Sequence, residues 1–167
     1  MRPQRQQPPE KDSKPRLKPQ RTPESWEIQT VNIDLEIPPD PEKPKQRVLL
    51  LDDRSDFRRV LEDHLTNCSY QVTSVGSGVE GLREIMKKPF DLIICDMMMP
   101  NMGGEMFYWA VTRVRPAAGQ RFIFFTGHQN RPEIDLFFQK IKATVIFKPF
   151  RLGALEMAIR DVLKKLS

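Results

Sequence analysis

Asp91-Leu-Ile-Ile-Cys95-Asp96 is a run of four apolar residues closed by a carboxylate at each end, and Met97-Met-Met-Pro100-Asn-Met-Gly-Gly104 follows it. An unbroken apolar run of this length suits a strand buried on both faces, whereas a strand with one wet face would alternate. The pattern recurs on either side. Upstream, Arg47-Val-Leu-Leu-Leu51 runs into Asp52-Asp53; downstream, Phe122-Ile-Phe-Phe125 ends at Thr126, and Thr144–Phe147 ends at Lys148-Pro149. Tyr70–Val75 alternates as a further strand. Helical spacing fills the gaps, first through Phe57, Val60, Leu61 and Leu65, then through Leu82, Ile85 and Met86 after the capping spacing Ser77-Gly-Val-Glu80. It continues through Met106, Phe107, Ala110 and Val114, stopped before Pro116, and through Ile134, Phe137, Phe138 and Ile141 after Pro132. Leu152, Leu155, Ile159, Val162, Leu163 and Leu166 make a last amphipathic helix. Strand and helix alternating five times predict an α/β domain over residues 47–167: a (βα)5 doubly wound parallel five-stranded sheet with helices on both faces.

The 46 residues before it differ in kind, holding ten of the chain's 15 prolines. Residues 1–23 carry a net charge of +5 and residues 24–46 one of −4, against +4 for the rest of the 167-residue chain. A basic, Pro- and Gln-rich head with almost no apolar residues cannot offset its ordering entropy, so residues 1–23 are expected to be disordered. Without interleaved aromatics a solvated leader is favoured over a nucleic-acid arm. Within residues 26–37, Trp26, Ile28, Val31, Ile33, Leu35 and Ile37 keep strand period with one slip, and Pro38-Pro39-Asp40-Pro41 ends it. Residues 1–46 thus read as a Pro-rich tail and linker with one candidate strand. Two cysteines exclude a disulfide framework and a four-thiolate zinc site. No apolar stretch approaches the ~20 residues of a spanning helix, and the N-terminus lacks the apolar core of a secretory signal. A cytoplasmic protein without membrane insertion is the expectation.

The chemistry lies at the strand ends. Asp52 and Asp53, Asp96, Thr126 and Lys148 each follow a predicted strand, and ligands of open α/β sheets bind beyond the carboxyl ends of the strands. Three carboxylates meeting there repel one another and suit a hard cation such as Mg²⁺. An ammonium and a hydroxyl beside them supply what a transferred phosphoryl group needs, namely charge neutralisation and oriented donors. Asp96, at the centre, is the natural nucleophile.

With these motifs in view, residues 47–167 resemble the receiver domain of two-component response regulators, of the single-domain chemotaxis type. The resemblance rests on Asp52-Asp53, Asp96-Met-Met-Met-Pro100-Asn-Met-Gly-Gly104, Phe125-Thr126-Gly127 and Phe147-Lys148-Pro149-Phe150, and on their separations. It implies a flavodoxin-like fold. It further implies that Asp96 accepts a phosphoryl group from a histidine kinase or a histidine phosphotransfer protein. Asp53, Asp96 and the backbone carbonyl of Met98 would bind Mg²⁺, with Asp52 holding a metal-bound water. Lys148 would pair with the phosphoryl oxygens, Thr126 would swing its hydroxyl onto them, and Pro149 would follow a cis peptide bond. Such a protein catalyses only its own phosphorylation and dephosphorylation and is otherwise no enzyme. Met98 and His128 flank the path of an attacking water in this family.

The chain departs from the family at Val145, where an aromatic that reports phosphorylation is usual, and at Ile141-Lys142, where Gly-Ala is usual. The fourth helix carries more apolar residues than one buried stripe needs, which marks Ile134 and Phe138 as a candidate partner or homodimer face. With the last helix ending at Ser167, no DNA-binding output module is expected, and signalling would run through an unidentified protein target or a phosphorelay. The alternative is a receiver-like adaptor that works by constitutive contacts and never cycles phosphate. A haloacid-type hydrolase is disfavoured, since Met98 stands where that class has a second Asp.

Overall fold

The computed structural model describes residues 45–127 and 131–167. The expected disorder of residues 1–23, the candidate strand at 26–37 and His128 lie outside the described residues. Five strands, β1 (Arg47–Leu51), β2 (Gln71–Val75), β3 (Leu92–Asp96), β4 (Phe122–Thr126) and β5 (Thr144–Phe147), alternate with five helices. The helices are α1 (Ser55–Asn67), α2 (Gly78–Lys87), α3 (Gly104–Val114), α4 (Pro132–Ile141) and α5 (Leu152–Leu166). All strand pairs are parallel, in the order β2-β1-β3-β4-β5. The chain therefore reverses its direction of travel across the sheet between β1 and β3, and the crevice of such a sheet opens there.

Strand side chains alternate between two cores. Leu49, Leu51, Ile93, Cys95, Phe122 and Phe124 face α2, α3 and α4, while Val48, Leu50, Leu92, Ile94, Ile123 and Phe125 face α1 and α5. Burial on both sides explains why β1, β3 and β4 are apolar without interruption. β2, at the sheet edge, is only partly covered, and it mixes the polar Gln71, Thr73 and Ser74 with Val72 and Val75 in place of an apolar run. Ser77 caps α2 by accepting from the Glu80 N–H at 3.2 Å, and Glu80 reaches back to the Gly76 N–H at 3.1 Å, one residue beyond the usual reciprocal partner. Gly81 lies where β1 meets α2: a Cβ there would collide with Leu51 Cδ2.

Expectations change in α3 and in α4. In α3 the buried stripe is Phe107, Tyr108 and Val111, whereas Met106 and Val114 are exposed, so the stripe is rotated by one residue from the expected one. A six-residue 3-10 turn, Pro116–Arg121, joins α3 to β4. Phe138 does not form an outer face of α4. It is 9% exposed and packs on Phe124 and Phe137 with ring centroids 5.6 Å away in each case, and Leu136, at 65%, is the residue turned to solvent. The cause is the length of the aromatic cluster under α4, which accepts two adjacent phenylalanines in place of one.

Phe124 is the hub of that cluster, with Phe122, Tyr108, Phe137 and Phe138 at centroid distances of 5.3 to 6.1 Å. Phe124→Ala should cost about 3–5 kcal/mol in urea denaturation. Lys142, which ends α4 at φ 53°, holds a left-handed conformation that favours glycine. Lys142→Gly should stabilise the domain by about 0.5–1 kcal/mol, the relief of a left-handed side chain less the entropy of a freer unfolded chain.

Candidate functional site at the strand ends

β1 and β3 are adjacent and in register, Leu51 opposite Cys95, so the residues that follow them meet. Asp52 is fully buried and Asp96 is 5% exposed, while Asp53 faces solvent. One carboxylate oxygen from each of Asp52, Asp53 and Asp96 lies within 4.8 Å of the other two. Lys148, at the end of β5, extends its Nζ between two of them, 2.9 Å from Asp52 Oδ2 and 3.2 Å from Asp96 Oδ2. It also stands 4.7 Å from the Phe57 ring centroid and 5.7 Å from that of Phe125, in cation–π range. Its backbone N–H donates to Thr126 O at 2.8 Å, tying the ends of β4 and β5 together, and the Lys148–Pro149 bond is cis.

The carboxylates have different partners. Asp52 Oδ1 accepts from the Arg54 N–H at 2.9 Å and Oδ2 from Lys148, so both oxygens are engaged. Among the described residues, Asp96 Oδ1 receives only a long contact, 3.5 Å, from the Met98 N–H. Burial pushes the Asp96 carboxyl above its ordinary pKa, Lys148 pulls it down and Asp52 pushes it up again, with the balance upward. Gly104 supports this strand end from behind. Its N–H donates to Met97 O at 3.0 Å, and a Cβ on it would stand 2.9 Å from the Asp96 carbonyl oxygen.

Of the residues singled out in the sequence, the structure gathers Asp52, Asp53, Asp96 and Lys148 into one cluster. Thr126 is fully buried at the neighbouring strand end. Met98 offers its N–H to Asp96 while its side chain is 44% exposed. Val145 is half-buried and packs on the aromatic core; Ile134 is also half-buried and lines a groove of about 490 Å³ with Met97, Met98, Glu105, Met106 and Trp109. Phe138 is buried against Phe124 and Phe137 and does not line that groove. Phe57, Arg54 and Arg58 belong to the site and were missed. Arg54 Nε lies 3.6 Å from Asp52 Oδ1 and its guanidinium 4.7 Å from the Phe57 centroid, and Arg58 donates to the Asp52 carbonyl. Their position at the start of the helix after the acidic pair, Arg54 at its N-cap and Phe57 and Arg58 just inside it, was the available signal. Three all-oxygen carboxylates, two of them buried and only one ammonium between them, are a donor set that fits a hard divalent cation.

Comparison with known proteins agrees with this geometry. The sequence model of the response regulator receiver domain matches residues 48–160. A probable chemotaxis protein CheY of Rhizobium etli is 33% identical over 119 residues, 71% of this chain and 92% of that protein. The response regulator receiver protein CpdR of Brucella abortus is 31% identical over 71% of this chain and 97% of its own length. Among solved structures, chemotaxis protein CheY4 of Vibrio cholerae superposes with a TM-score of 0.66 at 29% identity, covering 72% of this chain and all of that one.

The raised Asp96 pKa has a stability consequence. An acid harder to ionise in the folded chain than in the unfolded one costs nothing below its unfolded pKa, and its cost grows as the pH rises through the folded value. In metal-free buffer Asp96→Asn should therefore be more stable than wild type at pH 7, with the gap shrinking towards pH 4. Urea midpoints at the two pH values check this; an equal gap at both would contradict it.

Proposed function

Since the chain belongs to the response regulator receiver family, we propose that it is a phosphoacceptor of a two-component or phosphorelay system, with residues 47–167 as the receiver and 1–46 as a separate tail. The observation that carries this reading is the Lys148 ammonium held between Asp52 and Asp96 at 2.9 and 3.2 Å, on the ends of three different strands. In the proposed step an Asp96 carboxylate oxygen attacks the phosphorus of a phosphohistidine on a kinase or phosphotransfer protein. The O–P bond forms as the N–P bond breaks, and the imidazole leaves with the electron pair.

The partners of each carboxylate support a division of labour. Both oxygens of Asp52 are already engaged, by Lys148 and by the Arg54 N–H, which suits an outer role through water. Asp53, exposed, and Asp96, sparsely bonded, would hold Mg²⁺ directly, together with the Met98 carbonyl. Mg²⁺ supplies charge neutralisation for the phosphoryl oxygens when bound. Lys148 needs only to follow the charge from Asp96 onto the new phosphoryl group, guided by Phe57 and Phe125. Removing its ammonium should slow labelling on the order of a hundredfold, as for other single oriented donors.

The output would be a shift between two arrangements of α4, β5 and their loops, biased by the added charge at Asp96 and by the hydroxyl of Thr126. No aromatic at Val145 is there to report it. The groove lined by Met97 and Met98, which follow Asp96, has Ile134 of α4 as one wall, and this supports coupling of the site to α4. A surface on α4 would centre on Leu136, the exposed apolar residue of the helix, for a protein target or a second copy. No helix among the described residues is long and apolar enough to cross a membrane, and the cytoplasm is the proposed setting.

Intact mass after incubation with a small phosphodonor, with and without Mg²⁺, tests the proposal on wild type and Asp96→Asn. One added phosphoryl group that requires both Mg²⁺ and Asp96 is the expected result. No adduct, under conditions where another receiver labels, would replace the phosphoacceptor with an adaptor acting through constitutive contacts.

A further inference from the structure

On the opposite side of the molecule from the aromatic core, α1 and α5 lie on the same sheet face and share the apolar layer of Leu61, Leu65, Leu155 and Ile159. At the C-terminal end of α1, His64 and Cys68 stand four residues apart, one helical turn, and therefore on one face. α5 brings Glu156 to the same place. His64 Nε2 is 2.9 Å from Glu156 Oε1 and 3.9 Å from Cys68 Sγ, and one donor atom of each of the three side chains lies within 4.8 Å of the others. His64 and Glu156 are partly covered while Cys68 is exposed, and a cavity of about 130 Å³ lined by Leu65, Cys68, Tyr70, Glu156 and Arg160 opens beside them.

We propose that His64, Cys68 and Glu156 form a zinc-binding site that ties α1 to α5, separate from the carboxylate cluster at the strand ends. The donor set is the first argument. An imidazole, a thiol and a carboxylate together match borderline-soft Zn²⁺, and poorly match the all-oxygen demand of Mg²⁺. The spacing is the second. Tetrahedral zinc with bonds of ~2.3 Å to sulfur and ~2.0 Å to nitrogen sets those two atoms about 3.5 Å apart, and nitrogen and oxygen about 3.4 Å apart. The observed 3.9 Å between sulfur and nitrogen and 2.9 Å between nitrogen and oxygen each lie within about 0.5 Å of these values. His64 Nε2 is already the atom that both other donors face. Three protein ligands leave the fourth position to water from the adjoining cavity. Arg160 lines that cavity and opposes a cation, but the thiolate and the carboxylate outweigh its single charge.

A bare His64–Glu156 ion pair is the simpler account of the same geometry, and it requires nothing of Cys68. The test uses the full chain, reduced, with Mg²⁺ in excess to occupy the strand-end carboxylates, and Co²⁺ as the probe. One equivalent of Co²⁺ should bind with a near-ultraviolet thiolate-to-metal charge-transfer band, displaced by Zn²⁺. Cys68→Ser should abolish the band, and His64→Gln and Glu156→Gln should each weaken binding about tenfold or more, whereas His128→Gln, at the chain's other histidine, should not. Zinc should also raise the melting temperature of wild type and leave that of Cys68→Ser unchanged, with circular dichroism confirming that each variant folds. Absence of the band in wild type, or its persistence at full affinity in His64→Gln or Glu156→Gln, would overturn the site. Phosphoryl labelling of Asp96 is independent of either result.

Discussion

Two carboxylates buried side by side at the ends of adjacent strands repel each other in a medium that screens them poorly, and Lys148 is what makes that arrangement tolerable. Its ammonium reaches Asp52 and Asp96 together, across the carboxyl ends of β1, β3 and β5. The reach depends on the strand order: β1 and β3 are neighbours, β4 intervenes, and the hydrogen bond from the Lys148 N–H to Thr126 O sets the height from which the side chain starts. A buried charge left without its partner is costly. The sheet topology, the rings of Phe57 and Phe125 and the position of the lysine are therefore parts of one electrostatic solution.

That solution leaves Asp96 the less satisfied of the two buried carboxylates. Among the described residues, Asp52 has a firm partner on each oxygen, while Asp96 shares one with Lys148 and has only a distant N–H on the other. The carboxyl whose ionisation burial opposes is thus the one best able to gain from a new ligand, whether a cation or a phosphoryl group. The reactivity proposed for Asp96 would follow from uneven distribution of hydrogen bonds within a small acidic cluster, more than from any single residue.

Much of this was legible in the sequence because burial on both faces leaves an unmistakable trace. Runs such as Val48–Leu51 and Leu92–Cys95 admit no wet side, and the polar residue that ends each run marks the same end of the sheet. Helix faces were harder to read. In α3 every position from Met106 to Val111 is apolar or aromatic, so a 3.6-residue period has no polar side to exclude and the stripe came out one residue off. Phe138 beside Phe137 posed the same ambiguity, and only the width of the aromatic layer resolves it. The zinc-type cluster had no local signature beyond the spacing of His64 and Cys68, because Glu156 is remote in sequence and meets them only through the packing of α1 and α5. Arg54 and Phe57 acquire meaning once Lys148 is placed beside them.

Gly104 shows how far the demands of the site extend beyond its reactive atoms. The space a side chain would need is already taken by the Asp96 carbonyl and by Met97, both within 2.9 Å of where a Cβ would sit. Any side chain there must move either the start of α3 or the backbone that aims the Asp96 carboxylate. In a map of tolerated substitutions, this position, which offers no functional group at all, would stand beside Asp96 among the least variable in the domain.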